Sequence, residues 1–192
     1  MKTPKALLLT PGAGADRNQS ALVALDEALS ADKIVVERMD FPYRLAGRRA
    51  PDRPPVLLAA VREGAAALTK RAKTTPAYVA LGGRSMGGRM CSMAVAEGLP
   101  AAALVLISYP LHPPGKPDQL RVDHFPSINV PCLFVSGTRD AFGTPDELAK
   151  ATQAIAGPVT NVWIDGGDHG LRRKDDLVID AVRSWLLQGP CE

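Results

Sequence analysis

The stretch Gly83-Arg84-Ser85-Met86-Gly87 constrains this chain more than any other feature, because it reads G-x-S-x-G between a strand and a helix. The apolar run Ala77-Tyr78-Val79-Ala80-Leu81 precedes it. A helix-compatible stretch from Met86 to Glu97 follows, with Gly98 and Pro100 as its stop. A chain passing from strand to helix through this motif must turn sharply. Ser85 then sits at the apex in a strained backbone conformation, with its hydroxyl above the sheet. Side chains at positions 83 and 87 would collide where strand and helix converge, so both are glycine. The turn also points backbone N–H groups at the helix N-terminus, where an oxyanion is stabilised. A phosphate-binding turn is the competing reading, and its spacing is wrong. The stretch has no G-x-G-x-x-G, and no Lys-Ser or Lys-Thr follows Gly87.

The rest of the chain supplies the frame. Ala6 to Thr10 reads as a strand, and Pro11 to Ala15 as a loop. Asp16 is placed to cap a helix from Arg17 to about Ser30, with Leu22, Leu25 and Leu29 on one face. Ile34-Val35-Val36 is a second strand, and Asp40 to Pro55 a loop rich in Arg and Pro. Pro54 and Pro55 suit the start of a helix to Arg71, with Leu58, Val61, Ala65 and Leu68 on one side. Gly64 within it costs about 1 kcal/mol against Ala, which calls for a close contact. Ala103 to Ile107, Cys132 to Ser136 and Val159 to Ile164 are further strands. Thr144-Pro145-Asp146-Glu147 is a capping box that opens a helix to about Ile155. A last helix spans Lys174 to Leu187, with Leu177, Ala181 and Trp185 aligned.

Strands that are continuously apolar and alternate with helices predict a doubly wound, mostly parallel six-stranded α/β sheet with helices on both faces. No linker or repeat divides residues 1–192, so one domain is expected. Ligands of such sheets bind outside the carboxyl ends of the strands, and every loop of interest here follows a strand. Net charge is +3, too weak to imply nucleic acid by itself. No apolar run approaches membrane-span length. Ala6 to Leu9 is too short for a signal-peptide core, so a cytoplasmic protein is expected. Cys91, Cys132 and Cys191 lack C-x-x-C spacing and read as reduced thiols, the first two in the core.

A serine needs a base to take its proton, and the base needs a carboxylate to hold its tautomer. His169 lies after the sixth strand in Asp165-Gly166-Gly167-Asp168-His169-Gly170, where glycines let the ring approach another loop. His112, in Tyr109-Pro110-Leu111-His112-Pro113-Pro114, is a candidate for the pocket wall, although its proline-stiffened setting reads first as structural, and His124 is a loop residue. Asp140 follows the fifth strand in Ser136-Gly137-Thr138-Arg139-Asp140. Asp168 is the rival acid, but as the immediate neighbour of His169 its carboxylate points away from the ring. Of two oxyanion donors, one is Met86 N–H. The other comes from the first loop, where Pro11 has no N–H, which leaves Gly12, Ala13 or Gly14.

The combination resembles the α/β-hydrolase superfamily. It resembles more narrowly the dienelactone-hydrolase-related group that includes a testis-expressed protein and a subunit of the non-specific-lethal chromatin complex. The stretches that carry the likeness are Leu9 to Asp16, Phe41-Pro42-Tyr43 with Gly47-Arg48-Arg49, Gly82 to Arg89, Ser108 to Lys116, Gly137 to Asp140, and Asp168-His169. Many relatives have His-Gly where this chain has Pro11-Gly12. The resemblance implies a minimal α/β-hydrolase fold with Ser85 as nucleophile, Asp140 as acid, His169 as base and Ala13 as first-loop oxyanion donor. It implies hydrolysis of a small ester, thioester or lactone, with no cofactor or metal and with neither nucleic acid nor membrane as partner. A non-catalytic interaction module on the same scaffold is the other reading.

The connection from Tyr109 to Val130 stands where larger relatives carry a lid domain. It is 22 residues long, with prolines at 110, 113, 114, 117 and 126. An open cleft for short-chain esters is therefore expected. Arg48 and Arg49, with Arg44 and Arg53, stand at the same sheet edge; they read either as a solvated basic loop or as candidates for attracting a carboxylate-bearing substrate.

Overall fold

The computed structural model describes residues 3–188, so Cys191 lies outside the described residues. Six strands form one sheet: β1 (Ala6–Thr10), β2 (Val35–Arg38), β3 (Val79–Arg84), β4 (Ala103–Ile107), β5 (Cys132–Gly137) and β6 (Val159–Ile164). Their order is β2-β1-β3-β4-β5-β6, and every pairing is parallel. The helices are α1 (Ser20–Ala31), α2 (Pro42–Leu45), α3 (Pro54–Arg71), α4 (Met86–Ala96), α5 (Pro145–Thr152) and α6 (Asp175–Gln188).

Alternation along each strand sends side chains to opposite faces, and two separate cores result. Leu7 and Leu9 pack with Leu22, Leu25 and Leu29 of α1 and with Val178, Val182 and Trp185 of α6. Leu8 packs on the other face with Val61 and Leu68 of α3, Met90 of α4 and Leu148 of α5. The central strands β1, β4 and β5 are buried at every residue, as two-sided cover requires. The edges differ: β2 and most of β6 are only partly covered, and β6 admits Thr160 and Asn161.

Several elements depart from the sequence reading. Helix α1 starts at Ser20, three residues after the expected Arg17. Asp16 does not cap it, because its carboxylate accepts from Asn18 N–H in a tight turn and pairs with Arg44. The Arg-rich loop holds the short helix α2, opened by Pro42. The strand expected from Ala77 starts at Val79, because Pro76–Tyr78 forms a 3-10 turn. Helix α5 ends at Thr152 rather than Ile155. The buried stripe of α6 is Val178, Val182, Trp185 and Leu186, one residue on from the expected one, and Leu177 is exposed. The close contact at Gly64 exists: a Cβ there would lie 3.1 Å from Met39 Sδ and 3.4 Å from Leu8 Cδ2.

The connection between β4 and β5 is no lid. It lies down on the sheet, with Tyr109, Leu111, Phe125 and Ile128 in the core and one 3-10 turn, Phe125–Ser127. Among the described residues, no helix is long and apolar enough to cross a membrane. Chain order reverses between β1 and β3, so the loops after those two strands part to opposite faces and leave a crevice at their carboxyl ends. The Pro11 loop and Ser85 stand at that crevice.

Candidate active site

Ser85 links β3 directly to α4 and holds φ 50°, ψ −118°. A non-glycine residue in this region is strained by about 1–3 kcal/mol. The surroundings enforce it. Ser85 N–H donates to Ile107 O at 2.8 Å, and Arg89 N–H closes the first helical bond onto Ser85 O at 3.1 Å. Gly83 and Gly87 let β1 approach: a Cβ on Gly83 would lie 2.1 Å from Thr10 Oγ1, and one on Gly87 2.5 Å from the carbonyls of Thr10 and Pro11.

Three loops after three strands meet at the serine. Ser85 Oγ lies 2.9 Å from His169 Nε2, and His169 Nδ1 lies 2.9 and 2.8 Å from the two oxygens of Asp140. The Asp140 side chain is 1% exposed and that of His169 is 20% exposed, so the carboxylate is sealed while the ring reaches the cleft. An ionised carboxylate only accepts, so Nδ1 carries the proton and Nε2 offers its lone pair to the serine hydroxyl. Phe142 N–H donates to Asp140 Oδ1 at 2.8 Å, and the Phe142 ring stacks on His169 at 3.9 Å between centroids. Arg84 Nη2 donates to the His169 carbonyl at 2.5 Å. Asp168, the rival acid, is exposed and makes no hydrogen bond to the ring.

The first loop is clamped at alternate residues. Gly12 N–H donates to Gln19 Oε1 and Gly14 N–H to the Tyr43 hydroxyl, each at 3.1 Å. Neither clamp engages Ala13 N–H. Met86 N–H stands at the first position of α4, where no carbonyl four residues back receives it within the helix. Two backbone donors are thus left on either side of Ser85, and Gly12, Ala13 and Met86 all line the same cavity.

That cavity has a volume of about 530 Å³. Its wall also takes in Gln19, Arg84, Arg89, Pro110, Arg121, Phe142 and His169. His112, a candidate for the wall, does not line it, and its structural reading fits better. It is turned into the protein, 5% exposed, with Nδ1 on Pro113 O at 2.8 Å and Nε2 facing Glu147 at 3.6 Å. Arg48 and Arg49 are exposed and do not line the cavity either; Arg48 pairs with Asp52 at 2.7 Å within the loop between α2 and α3. His124 is more than a loop residue. Its Nε2 lies 2.8 Å from Ser92 Oγ, and burial, reinforced by the charge of Arg89, lowers its pKa to about 4. Burial pushes the free thiols Cys91 and Cys132 up to about 12, which leaves both inert. Among the described residues, no three of His, Cys, Asp and Glu are grouped to hold a metal ion.

Sequence reasoning missed Gln19, Tyr43, Phe142, Arg84, Arg89 and Arg121. Arg89 carried a readable signal, since a residue four beyond Ser85 shares its helix face. Tyr43 carried another, as a phenol in an apolar Phe-Pro-Tyr run that needs a polar partner. Arg121 carried none.

Comparison with known proteins adds the following. The family model described as "Alpha/beta hydrolase domain" matches residues 3–181. Epoxide hydrolase A of Mycobacterium tuberculosis is 35% identical over 63 residues, a match spanning 33% of this chain and only 20% of that protein's length. Among solved structures, the dienelactone hydrolase of Anabaena variabilis superposes with a TM-score of 0.76 at 18% identity, covering 97% of this chain and 87% of that one. Est1E of Butyrivibrio proteoclasticus, with ferulic acid bound, superposes at 0.77 with 16% identity, covering 96% and 88%. At such identities the two structures bear on the fold alone.

Proposed function

The chain belongs to the alpha/beta hydrolase domain family, and we propose that it is a serine hydrolase that cleaves a carboxylic ester, thioester or lactone through an acyl-enzyme. The observation that carries this reading is the unbroken hydrogen-bonded chain from Ser85 through His169 to the buried Asp140, opening on a cavity. Ser85 Oγ attacks the carbonyl carbon while His169 Nε2 takes its proton. Asp140 holds Nδ1–H in place and balances the imidazolium. The N–H groups of Met86 and Ala13 receive the oxyanion of the tetrahedral intermediate. Collapse breaks the C–O or C–S bond, and the alcohol or thiol, departing from an ester or thioester but still tethered to the acyl chain in a lactone, takes the proton from His169. Water, deprotonated by the same ring, then attacks the acyl-enzyme, releases the acid and restores Ser85.

The rival reading, an interaction module on this scaffold, gives no reason for a clamped loop with a spare N–H beside a strained serine. The connection packed down between β4 and β5 supports small acyl groups, since nothing there folds over a long chain. The dienelactone hydrolase and the ferulic acid-bound Est1E direct the search toward esters and lactones of small acids. The two free thiols favour a reducing compartment, in keeping with the cytoplasm. The test is a series of p-nitrophenyl esters from acetate through butyrate and octanoate to palmitate. The expected kcat/KM is highest at acetate or butyrate and falls with length. A maximum at palmitate contradicts the short-acyl reading, and no turnover of any ester contradicts the hydrolase reading.

A further inference from the structure

The charge of the cleft wall is one-sided. Arg84, Arg89 and Arg121 all line the cavity beside Ser85, and no Asp or Glu does. None of the three forms an ion pair among the described residues, whereas Arg17, Arg38, Arg44, Arg48, Arg62, Arg71 and Arg183 each have one. Arg49, Arg53, Arg139, Arg172 and Arg173 also lack an ion pair among the described residues, but all five are exposed, whereas the three in the cleft are partly buried. Arg84 is committed by its bond to the His169 carbonyl. The Arg89 side chain also meets the buried Tyr109 hydroxyl, but neither Arg89 nor Arg121 has a carboxylate partner among the described residues.

Both sit where burial and mutual repulsion make an unpaired charge costly. Arg89 is half-buried, and its Nε is fully buried with no hydrogen-bond partner. The pKa of Arg121 is lowered by burial first and by the nearby Arg89 second. The fold nonetheless holds both arginines in place. Arg89 is fixed on α4 one turn beyond Ser85. Arg121 is fixed at its backbone: its N–H donates to Leu111 O at 2.9 Å, and its carbonyl accepts from the buried Tyr109 hydroxyl at 2.8 Å. Two guanidinium groups held together in a half-buried cleft without a carboxylate form an anion site waiting for its ligand, because the fork of each matches a planar oxyanion.

We propose that Arg89 and Arg121 form a subsite for an anionic group, a carboxylate or a phosphate, carried by the substrate beside its scissile ester. The inference rests on the serine hydrolase reading for the role of Ser85, but the anion site itself does not depend on turnover. Geometry sets the spacing. Residues four apart on a helix have Cβ atoms about 6 Å apart. The anion therefore lies a few bonds from the carbonyl, the separation found in a hemiester of succinate or glutarate. A phosphate on a short acyl or alcohol chain offers the same chemistry.

The test has two arms that fail separately. In the first, calorimetry follows binding of glutarate, inorganic phosphate and neutral glutaramide to the Ser85→Ala protein, which needs no catalysis. Glutarate or phosphate should bind and glutaramide should not, and the stronger of the two names the anion. Added Arg89→Gln or Arg121→Gln should each weaken binding about tenfold or more, the value of a charge-assisted bond. Arg89→Lys, which keeps the charge and loses the fork, should fall between. Circular dichroism verifies that each variant is folded. In the second arm, proton release compares monoethyl glutarate with diethyl glutarate in the Ser85 protein. A preference of tenfold or more for the monoester should collapse in either Gln variant and persist in Arg48→Ala. Equal binding of glutarate and glutaramide, or anion binding unchanged in both Gln variants, overturns the subsite. Loss of all turnover with anion binding intact would count against the hydrolase reading alone.

Discussion

Replacing Asp140 by Asn keeps the shape of the site and changes one thing, the direction of a hydrogen bond. Asp140 now accepts from His169 Nδ1 at 2.8 and 2.9 Å and from Phe142 N–H at 2.8 Å. An asparagine has one accepting oxygen and one donating amide nitrogen. Its oxygen stays with Phe142 N–H, so its NH2 faces Nδ1. The imidazole must then carry its proton on Nε2, 2.9 Å from Ser85 Oγ, and can no longer receive the serine proton. A wrong-tautomer site of this kind loses about 10⁴ in kcat. At 1.36 kcal/mol per decade that is about 5 kcal/mol of lost transition-state stabilisation. The side chain is 1% exposed and the swap is isosteric, so the fold should survive. Steady-state hydrolysis of p-nitrophenyl acetate, with thermal melts of both proteins, measures the two quantities. A rate within tenfold of the parent at an unchanged melting temperature would refute the tautomer argument and with it the assignment of Asp140.

Three further perturbations test other parts of the structure. Gly87→Ala puts a Cβ 2.5 Å from two backbone carbonyls, which cannot move aside as a side chain would; a loss of about 1–3 kcal/mol or more is expected, read as a lower melting temperature. A melt equal to the parent would mean that strand and helix do not converge there. Tyr43→Phe frees Gly14 N–H and loosens the loop that presents Ala13, so kcat should fall about tenfold with KM nearly constant, the signature of an interaction made in the transition state; a change in KM alone would place Tyr43 in binding instead. His124 has a folded pKa of about 4, below its ordinary 6.5, so between those values the unfolded chain binds the extra proton and stability falls as pH falls. His124→Gln keeps a partner for Ser92 and should flatten the decline in melting temperature between pH 6.5 and 4, and an unchanged slope would assign the acid loss to other groups.

The framework was legible because it rests on backbone rules. Continuous apolar runs marked the central strands, and a parallel sheet sends every strand-to-helix loop to one edge, so Ser85, Asp140 and His169 could be brought together without knowing any side-chain direction. Features set by side-chain direction were less legible. Leu177-Ala181-Trp185 and Val178-Val182-Trp185 both fit a helical repeat, and only the contact with β5 and α1 decides that the second is buried. Asp16 looks like a helix cap because Asp often is one, but Arg44, distant in sequence, and Asn18 claim it first. The arginines show the difference most clearly. Arg48 and Arg49 are conspicuous as a cluster in a loop, yet Arg48 is matched with Asp52, and neither lines the cavity. Arg89 and Arg121 are isolated in sequence and meet only because the β4–β5 connection lies down over α4.

The central claim is that Ser85, in its strained turn, is a nucleophile activated by His169. Labelling with a fluorophosphonate probe tests this most directly, since the reagent reacts with activated serines and needs no knowledge of the substrate. Intact-mass and peptide analysis should find one adduct, on Ser85, formed with an apparent pH dependence and abolished in Ser85→Ala. Labelling in His169→Ala should be slower by orders of magnitude. An adduct that persists in Ser85→Ala, or Ser85 left unlabelled in the folded protein, would contradict the account.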